Sequence, residues 1–295
     1  MFEDIHALVE FAEAGSIART ASRLHRTPSA ITRQIQRLEA DLGAQVLDRT
    51  VKPPRLTPLG LRIVEQSRDV LKRIEGLRAL AKKDAEPSGL FRIGVSHALA
   101  DETLVGPVRA LTKRFPKIRL RLLSDLTGDL ISKIRAGELD LAAVLLPVSH
   151  VVPPPLLTDV VATDRMVIVE KAGAKRSSTS NWSALGASPW VLNPPGCLLR
   201  AALLGAMDKA GVPATITAEI HNMHLQLAFI EAGYGLGLLP ERFVRRYAER
   251  ATIRVVRPKD FELKMTIAVM RAGPLGSLEV AAGQFKDLLT TAFAR

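Results

Sequence analysis

Cysteine is nearly absent from this 295-residue chain. Cys197 stands alone, so no disulfide can form within one molecule, and a thiol-disulfide switch of that kind is chemically excluded. A lone thiol also fits a reducing compartment. Metal chemistry lacks its usual spacings, because there is no cysteine pair and the six histidines are dispersed without a His-x-x-x-His pattern. A nucleophile elbow is missing too, so the residues give catalysis little support, and no metal, cofactor or enzymatic activity is expected. Long apolar runs are absent: the richest stretches, 139–147 and 225–239, are interrupted by charges, glycines or prolines, well short of the roughly 18 residues a membrane helix needs. The start, Met1-Phe2-Glu3-Asp4, is acidic and enters an amphipathic pattern without the basic and apolar regions of a signal peptide. The expectation is a cytoplasmic protein with no membrane partner.

With 47% hydrophobic and only 4% aromatic residues, the chain has material for two or three packed domains. Its net charge of +11 favours a polyanionic partner or a generally basic surface. The excess is concentrated between residues 16 and 62, where nine arginines or lysines face three acidic residues.

That segment punctuates itself as three helices. Ile5, Leu8, Val9 and Ala12 recur at helical spacing; Gly15 supplies a left-handed stop and Ser16 a cap for a second helix over 17–24. Thr27-Pro28 then pairs a capping hydroxyl with proline at the first helical position. Ile31, Ile35, Leu38 and Leu42 form the core face of the third helix, which Gly43 closes. At 100° per residue the opposite face carries Ser29, Arg33, Gln36 and Arg37, with Thr32 on its flank. Two helices joined by a short turn, the second presenting hydroxyls and guanidinium groups near its start, suit a recognition helix in the major groove of duplex DNA. Arg33 has the fork to pair with guanine, Ser29 and Thr32 to donate to a base or phosphate, and Thr27 to meet phosphate at the helix amino terminus. Such a face taken alone is more often that of an ordinary solvated helix, and it is the neighbouring residues that favour the DNA reading. Short strands expected at 45–47 and 55–57 flank Arg49-Thr50-Val51-Lys52-Pro53-Pro54, a stiff basic hairpin tip suited to phosphates. The candidate DNA contacts are therefore Thr27, Pro28, Ser29, Thr32, Arg33, Arg37, Arg49, Lys52 and Arg55.

The run Leu8, Phe11, Gly15-Ser16, Ala21, Leu24, Pro28 through Ile35, Leu38-Glu39, Leu42-Gly43, Val46 through Arg49, Leu56-Thr57 and Gly60 resembles the DNA-binding signature of the LysR-type transcriptional regulators. The family commonly has a second alanine where this chain has Thr20, glutamine at Pro28, serine at Thr32 and phenylalanine at Leu47. The missing glutamine removes one usual base-contacting side chain.

From Pro58 to about residue 83 a single helix is expected. Ile63, Ser67, Val70, Ile74, Leu77 and Ala81 alternate spacings of three and four, the seam of a contact between two helices, and Leu71 and Leu80 widen it. The family's linker helix pairs two chains in this way, and the resemblance implies a homodimer assembled into a homotetramer. Ile63, Val70, Ile74 and Leu77 are the candidate dimer residues, and Ala85-Glu86-Pro87-Ser88-Gly89 marks a boundary.

The rest alternates strands and helices: 90–96, 118–123 and 139–146 as strands, 101–115 and 126–136 as helices, an order that implies a parallel sheet. The pattern restarts near 159–163, with strands at 166–170, 190–192, 215–219, 254–256 and 264–269 before a last helix. This half is similar to the LysR-type effector domain, itself like periplasmic solute-binding proteins, through Gly89 to Gly94, Phe115-Pro116, Gly137 to Ala142 and Ala232 to Pro240. Gly233, Gly235 and Gly237 lack the strand, helix and acidic residue of a dinucleotide loop, so they are read as a tight helix-to-strand connection. The whole is an α+β multidomain chain: a winged helix-turn-helix over 1–58, a linker helix over 59–86 and a two-lobed α/β effector domain over 87–295, with lobe I about 90–160 and 236–295 and lobe II about 161–235. Ligands of open α/β sheets collect beyond the carboxyl ends of strands. That rule and the family resemblance nominate Ser96, His97, Thr127, Pro147, Gly196, Cys197, His221 and Asn222 for a small-molecule effector. Hydroxyls, amide N–H groups and imidazoles with few carboxylates suit an anion.

Overall fold

The computed structural model describes residues 1–81, 86–148, 150–173, 182–247, 252–258 and 261–294. The chain forms two compact units. One is Met1–Pro87 with two short added segments; the other is made of Ser88–Ile134, Leu139–Gly273 and the chain from Val280 onward.

In the first unit, α1 (Phe2–Ala14), α2 (Ile17–Arg23) and α3 (Pro28–Leu42) follow the expected punctuation. Gly15 and Gly43 end their helices at φ 70° and 63°, and the Ser16 and Thr27 hydroxyls accept from the Arg19 and Ala30 amides. Ala7, Leu8, Phe11, Ala21, Ile31, Ile35 and Leu38 close the core. Leu42 does not join it and is 45% exposed, because α3 outruns the neighbours that cover its earlier turns. Thr20, where the family commonly has alanine, is buried and returns its hydroxyl to the Ser16 carbonyl at 2.8 Å.

Strands β1 (Leu47–Asp48) and β2 (Arg55–Leu56) pair antiparallel, and the hairpin between them is the wing. Each is shorter than expected. Thr57 then caps α4 (Pro58–Ala81), accepting from the Gly60 amide at 2.9 Å. At Gly60 a side chain has no room, since a Cβ would lie 2.2 Å from the Val46 carbonyl oxygen. Over its 24 residues α4 is about 36 Å long. Its first turns pack on the three-helix core through Val64, Ile63 and Leu71, and Ser67 is buried. This corrects the expected seam, for Ile63 serves its own domain. Val70 and Leu77 remain 44% and 66% exposed. The side chains of Leu80 and Ala81, and the helix end expected near 83, lie outside the described residues.

In the second unit β3 (Gly89–Ser96) pairs parallel with both β4 (Ile118–Asp125) and β5 (Leu141–Pro147), with α5 (Val105–Arg114) and α6 (Thr127–Arg135) as crossovers. The helix expected over 101–115 opens instead as a 3-10 turn, Glu102–Leu104. The restart expected near 159–163 is not a break either. β6 (Leu157–Lys171) runs unbroken through both lobes. Its first part pairs with β11 (Leu263–Arg271), which returns to β5, and its last part is flanked by β9 (Gly237–Pro240) and β10 (Ile253–Val256). The charged residues Asp164-Arg165 imitate a boundary, yet Asp164 is buried against Arg242. Strands β7 (Pro189–Leu192) and β8 (Thr215–Glu219) pair parallel, and a bridge from Trp190 to Leu236 ties β7 to the chain entering β9. β9 and β10 both pair with 166–171, the stretch of β6 expected in lobe II. The remaining helices are α7 (Trp182–Gly186), α8 (Leu198–Lys209), α9 (Met223–Ala232), α10 (Glu241–Arg245) and α11 (Glu279–Phe293).

The three glycines around 235 each have a packing reason. Gly233 is the left-handed cap of α9, a Cβ on Gly235 would strike the Pro189 carbonyl, and one on Gly237 would strike Ile230. They form the tight connection into β9.

Candidate functional site

The exposed face of α3 begins at its cap. The Thr27 hydroxyl lies 3.1 Å from that of Ser29, and Thr32 donates to the Pro28 carbonyl at 3.0 Å, which leaves its oxygen lone pairs outward. Arg33 and Gln36 are exposed, and Arg33 keeps only a 3.3 Å bond from Nε to the Ser29 carbonyl. Among the described residues Arg33, Lys52, Arg55 and Arg62 have no carboxylate partner.

Two of the nominated arginines are engaged within the domain. Arg37 reaches Asp4 at 2.6 Å, and that aspartate side chain is 5% exposed. Arg49 meets Glu39 through two nitrogens, at 3.2 and 2.8 Å, while the Val46 and Leu47 amides also donate to Glu39. Burial pushes the Glu39 carboxyl up, but Arg49 and the two amides outweigh it and hold it below its ordinary value. Glu39 thus fastens the start of the wing to α3. Sequence reasoning missed both ties, since neither Asp4 nor Glu39 stands at a helical spacing from its arginine.

In the second unit the carboxyl ends of β3, β4 and β7 converge on a cavity of about 30 Å³. Ser96, His97, Thr127 and Cys197 line it as nominated, together with Asp125, Asn193, Met223 and Pro240. Asn193 was overlooked although it directly follows β7, where the strand-end rule points; its amide donates to the Ile220 carbonyl. Ser96 is 4% exposed, and its hydroxyl has no hydrogen-bond partner among the described residues. Thr127 opens α6 beside it and makes only a 3.4 Å bond to the Leu145 carbonyl. Burial pushes the Cys197 thiol up, so it is protonated at neutral pH.

The other nominated residues lie apart from the lining. Pro147 ends β5 and accepts from the His150 amide. Gly196 is left-handed, with Leu126 at its Cα face. Asn222 is spent capping α9, accepting from Leu225 at 3.0 Å. His221 meets the His97 ring edge-on, centroids 5.0 Å apart.

Behind the cavity Arg242 ties the lobes together. Its guanidinium reaches Asp101 at 2.7 Å, Asp164 at 2.9 Å and the Ala98 carbonyl at 2.7 Å. Burial pushes Asp101 up, but Arg242 and Thr103 outweigh it and hold the carboxyl low; for Asp164 burial wins and the carboxyl is raised.

A basic helix-turn-helix with a wing, joined to two α/β lobes enclosing a polar cleft, defines a DNA-binding protein with a ligand-sensing domain. Comparison with known proteins agrees. Residues 2–61 match the bacterial regulatory helix-turn-helix model of the lysR family, and residues 84–294 match the LysR substrate binding domain. The chain belongs to the LysR family of transcriptional regulators, which are not enzymes. Similar relatives include the regulator GltR of Bacillus subtilis, 28% identical over 82% of this chain and 80% of that protein. A hydrogen peroxide-inducible genes activator of Pectobacterium carotovorum is 27% identical over 90% and 88%. Among solved structures, a full-length OxyR variant from Pseudomonas aeruginosa superposes with a TM-score of 0.81 at 21% identity, covering 98% of this chain and 94% of that one. CbnR bound to its target DNA gives 0.61 at 22%, covering 99% of each. Among the described residues no helix is long and apolar enough to cross a membrane.

Proposed function

We propose that this regulator reads a specific operator in the cytoplasm through the outer face of α3 and responds to a small anion held in the lobe cleft. Arg33 pairs with a base edge, and Thr27, Pro28, Ser29 and Thr32 set the helix start against the groove. Lys52 and Arg55 neutralise phosphates from the wing. Arg37 and Arg49 act at one remove, by fixing α3 and the wing. The observation that carries this reading is the pairing pattern: among the described residues Arg33 on the helix and Lys52 and Arg55 on the wing have no carboxylate partner, whereas Arg37 and Arg49 do.

One helix-turn-helix contacts one half-site, so specific affinity needs two copies. Val70 and Leu77 stand seven residues apart on α4, Ile74 between them, and their exposure supports that stretch as the seam of a homodimer. A tetramer of two such dimers engages two sites. The anion is supported by the unpartnered Ser96 hydroxyl, the nearby start of α6 and the protonated neighbouring thiol. An effector can shift the assembly only by binding its two states unequally.

Selection of bound fragments from genomic DNA, followed by footprinting, tests this. The expected footprint has two half-sites about one or a few helical turns apart. Uniform binding without an enriched motif contradicts it.

A further inference from the structure

The cleft reading, on which this inference rests, leaves one pair of side chains without a task. His97 follows β3 in lobe I, and His221 lies between β8 and α9 in lobe II; their rings touch edge-on, 5.0 Å apart, beside the cavity that holds Ser96. We propose that the cleft takes a small organic dianion, one acidic group received by Ser96 and the start of α6, the other by the His97–His221 pair, which gains a proton as the dianion binds.

The first seat is built. A hydroxyl 96% buried and without a partner is costly unless something accepts from it. A carboxylate there gains the hydroxyl together with the N–H groups and partial positive charge of the α6 amino terminus. The second seat is set by the two rings. Burial and the neighbouring His221 both hold the His97 ring neutral, against the pull of Asp125 and Asp129. Of the charged groups that act on His97, Asp129 stands exposed on α6. Asp125, from β4, is held by Lys133 at 2.9 Å, Ser124 lies 2.8 Å from His97 Nδ1, and Cys197, at the start of α8, is a protonated thiol. What His97 lacks is an opposing charge strong enough to offset its burial.

Size makes the same demand. A space of about 30 Å³ holds roughly one water, so any metabolite must part the lobes, and the ring-to-ring contact is what it displaces. A second acidic group entering between the rings favours the imidazolium there, and binding becomes tighter as pH falls through the range where the pair titrates. Each unit of pKa gained on binding gives about a tenfold tightening on the acid side. A single acid fills only the first seat and shows no such dependence.

Calorimetry on the full chain at pH 6.5 and 8.0 tests this with unbranched dicarboxylates from malonate to adipate, and with acetate and butyrate as single-acid controls. At least one dicarboxylate should bind about fivefold to tenfold tighter at pH 6.5, with a heat that varies with the ionisation enthalpy of the buffer. His97→Gln with His221→Gln should erase that difference while leaving the unliganded melting temperature unchanged, and Ser96→Val should abolish binding of every acid. Dicarboxylate binding that needs Ser96 but ignores pH and both histidines overturns the inference and leaves the cleft reading intact. Binding indifferent to Ser96→Val overturns the cleft reading itself. No dicarboxylate binding at either pH also overturns the inference.

Discussion

The two working surfaces of this regulator face opposite electrostatic problems. On α3 and the wing, cations stand in water, and the domain spends its carboxylates at the flanks, on Arg37 and Arg49, leaving Arg33, Lys52 and Arg55 open. In the cleft little is charged: hydroxyls, an imidazole, an amide and a thiol line the space, its one lining carboxylate, Asp125, is paired with Lys133, and further ion pairs gather on Arg242. A polyanion is met by free charge at an open surface, where attraction is long-ranged and salt-sensitive. A small ligand is met by buried polar groups whose cost is recovered only when it arrives. The lesson is that charge count alone locates neither site; what matters is which charges already have partners.

The largest effect should follow from breaking the arrangement behind the cleft. Arg242→Ala leaves Asp101, whose side chain is fully buried, with only the more distant guanidinium of Arg246 at 3.7 Å and should cost about 3–5 kcal/mol. A loss under 1 kcal/mol in denaturant titration shows the tie to be slack.

Next comes the assembly. Val70→Glu with Leu77→Glu puts carboxylates into the proposed seam. The protein should sediment as a monomer, keep its folded effector domain and lose operator affinity by more than about 100-fold, since each half-site then binds alone. An operator-binding oligomer surviving both changes places the seam elsewhere.

A smaller effect sharpens the contrast at the wing. Glu39→Gln should destabilise the DNA-binding domain by about 1 kcal/mol at neutral pH. In the parent, the Glu39 carboxyl is held below its ordinary value of 4.5. Its contribution is therefore complete above that value and is lost as pH falls through the lower folded one. The variant should be correspondingly flatter in acid; parallel acid-unfolding curves disprove the tie.

Smallest of all is Cys197→Ser, which should leave operator binding unchanged, as a half-buried protonated thiol contributes packing rather than reactivity. Loss of an oxidant response present in the parent would reverse that judgement.

How much of this was legible in the residues depends on how local each feature is. Gly15, Ser16, Thr27-Pro28 and Gly43 act within four positions of themselves, and the structure uses them as read. The pairing of Arg37 with Asp4 spans 33 positions and that of Arg49 with Glu39 spans ten, so no periodicity announces them. The same limit explains β6: Asp164 looks like a strand end until Arg242, far along the chain, is seen to cover it. In the cleft, strand ends and the helix start beside them pointed to Ser96, His97 and Thr127, which line one cavity. They could not separate Asn222, a cap, from Asn193, a lining residue, because both follow a strand and only packing distinguishes them.

The most direct test of the account compares Arg33→Ala and Arg37→Ala by fluorescence anisotropy on the selected operator and on a scrambled duplex. Arg33→Ala should lose about 1–3 kcal/mol on the operator and relax preference at one base pair while binding the scrambled duplex almost as before. Arg37→Ala should keep the ratio between the two duplexes and lower the domain's stability. A folded Arg33→Ala protein with the parent's discrimination, or an Arg37→Ala protein that loses it, contradicts the assignment of free and engaged charges on which the account rests.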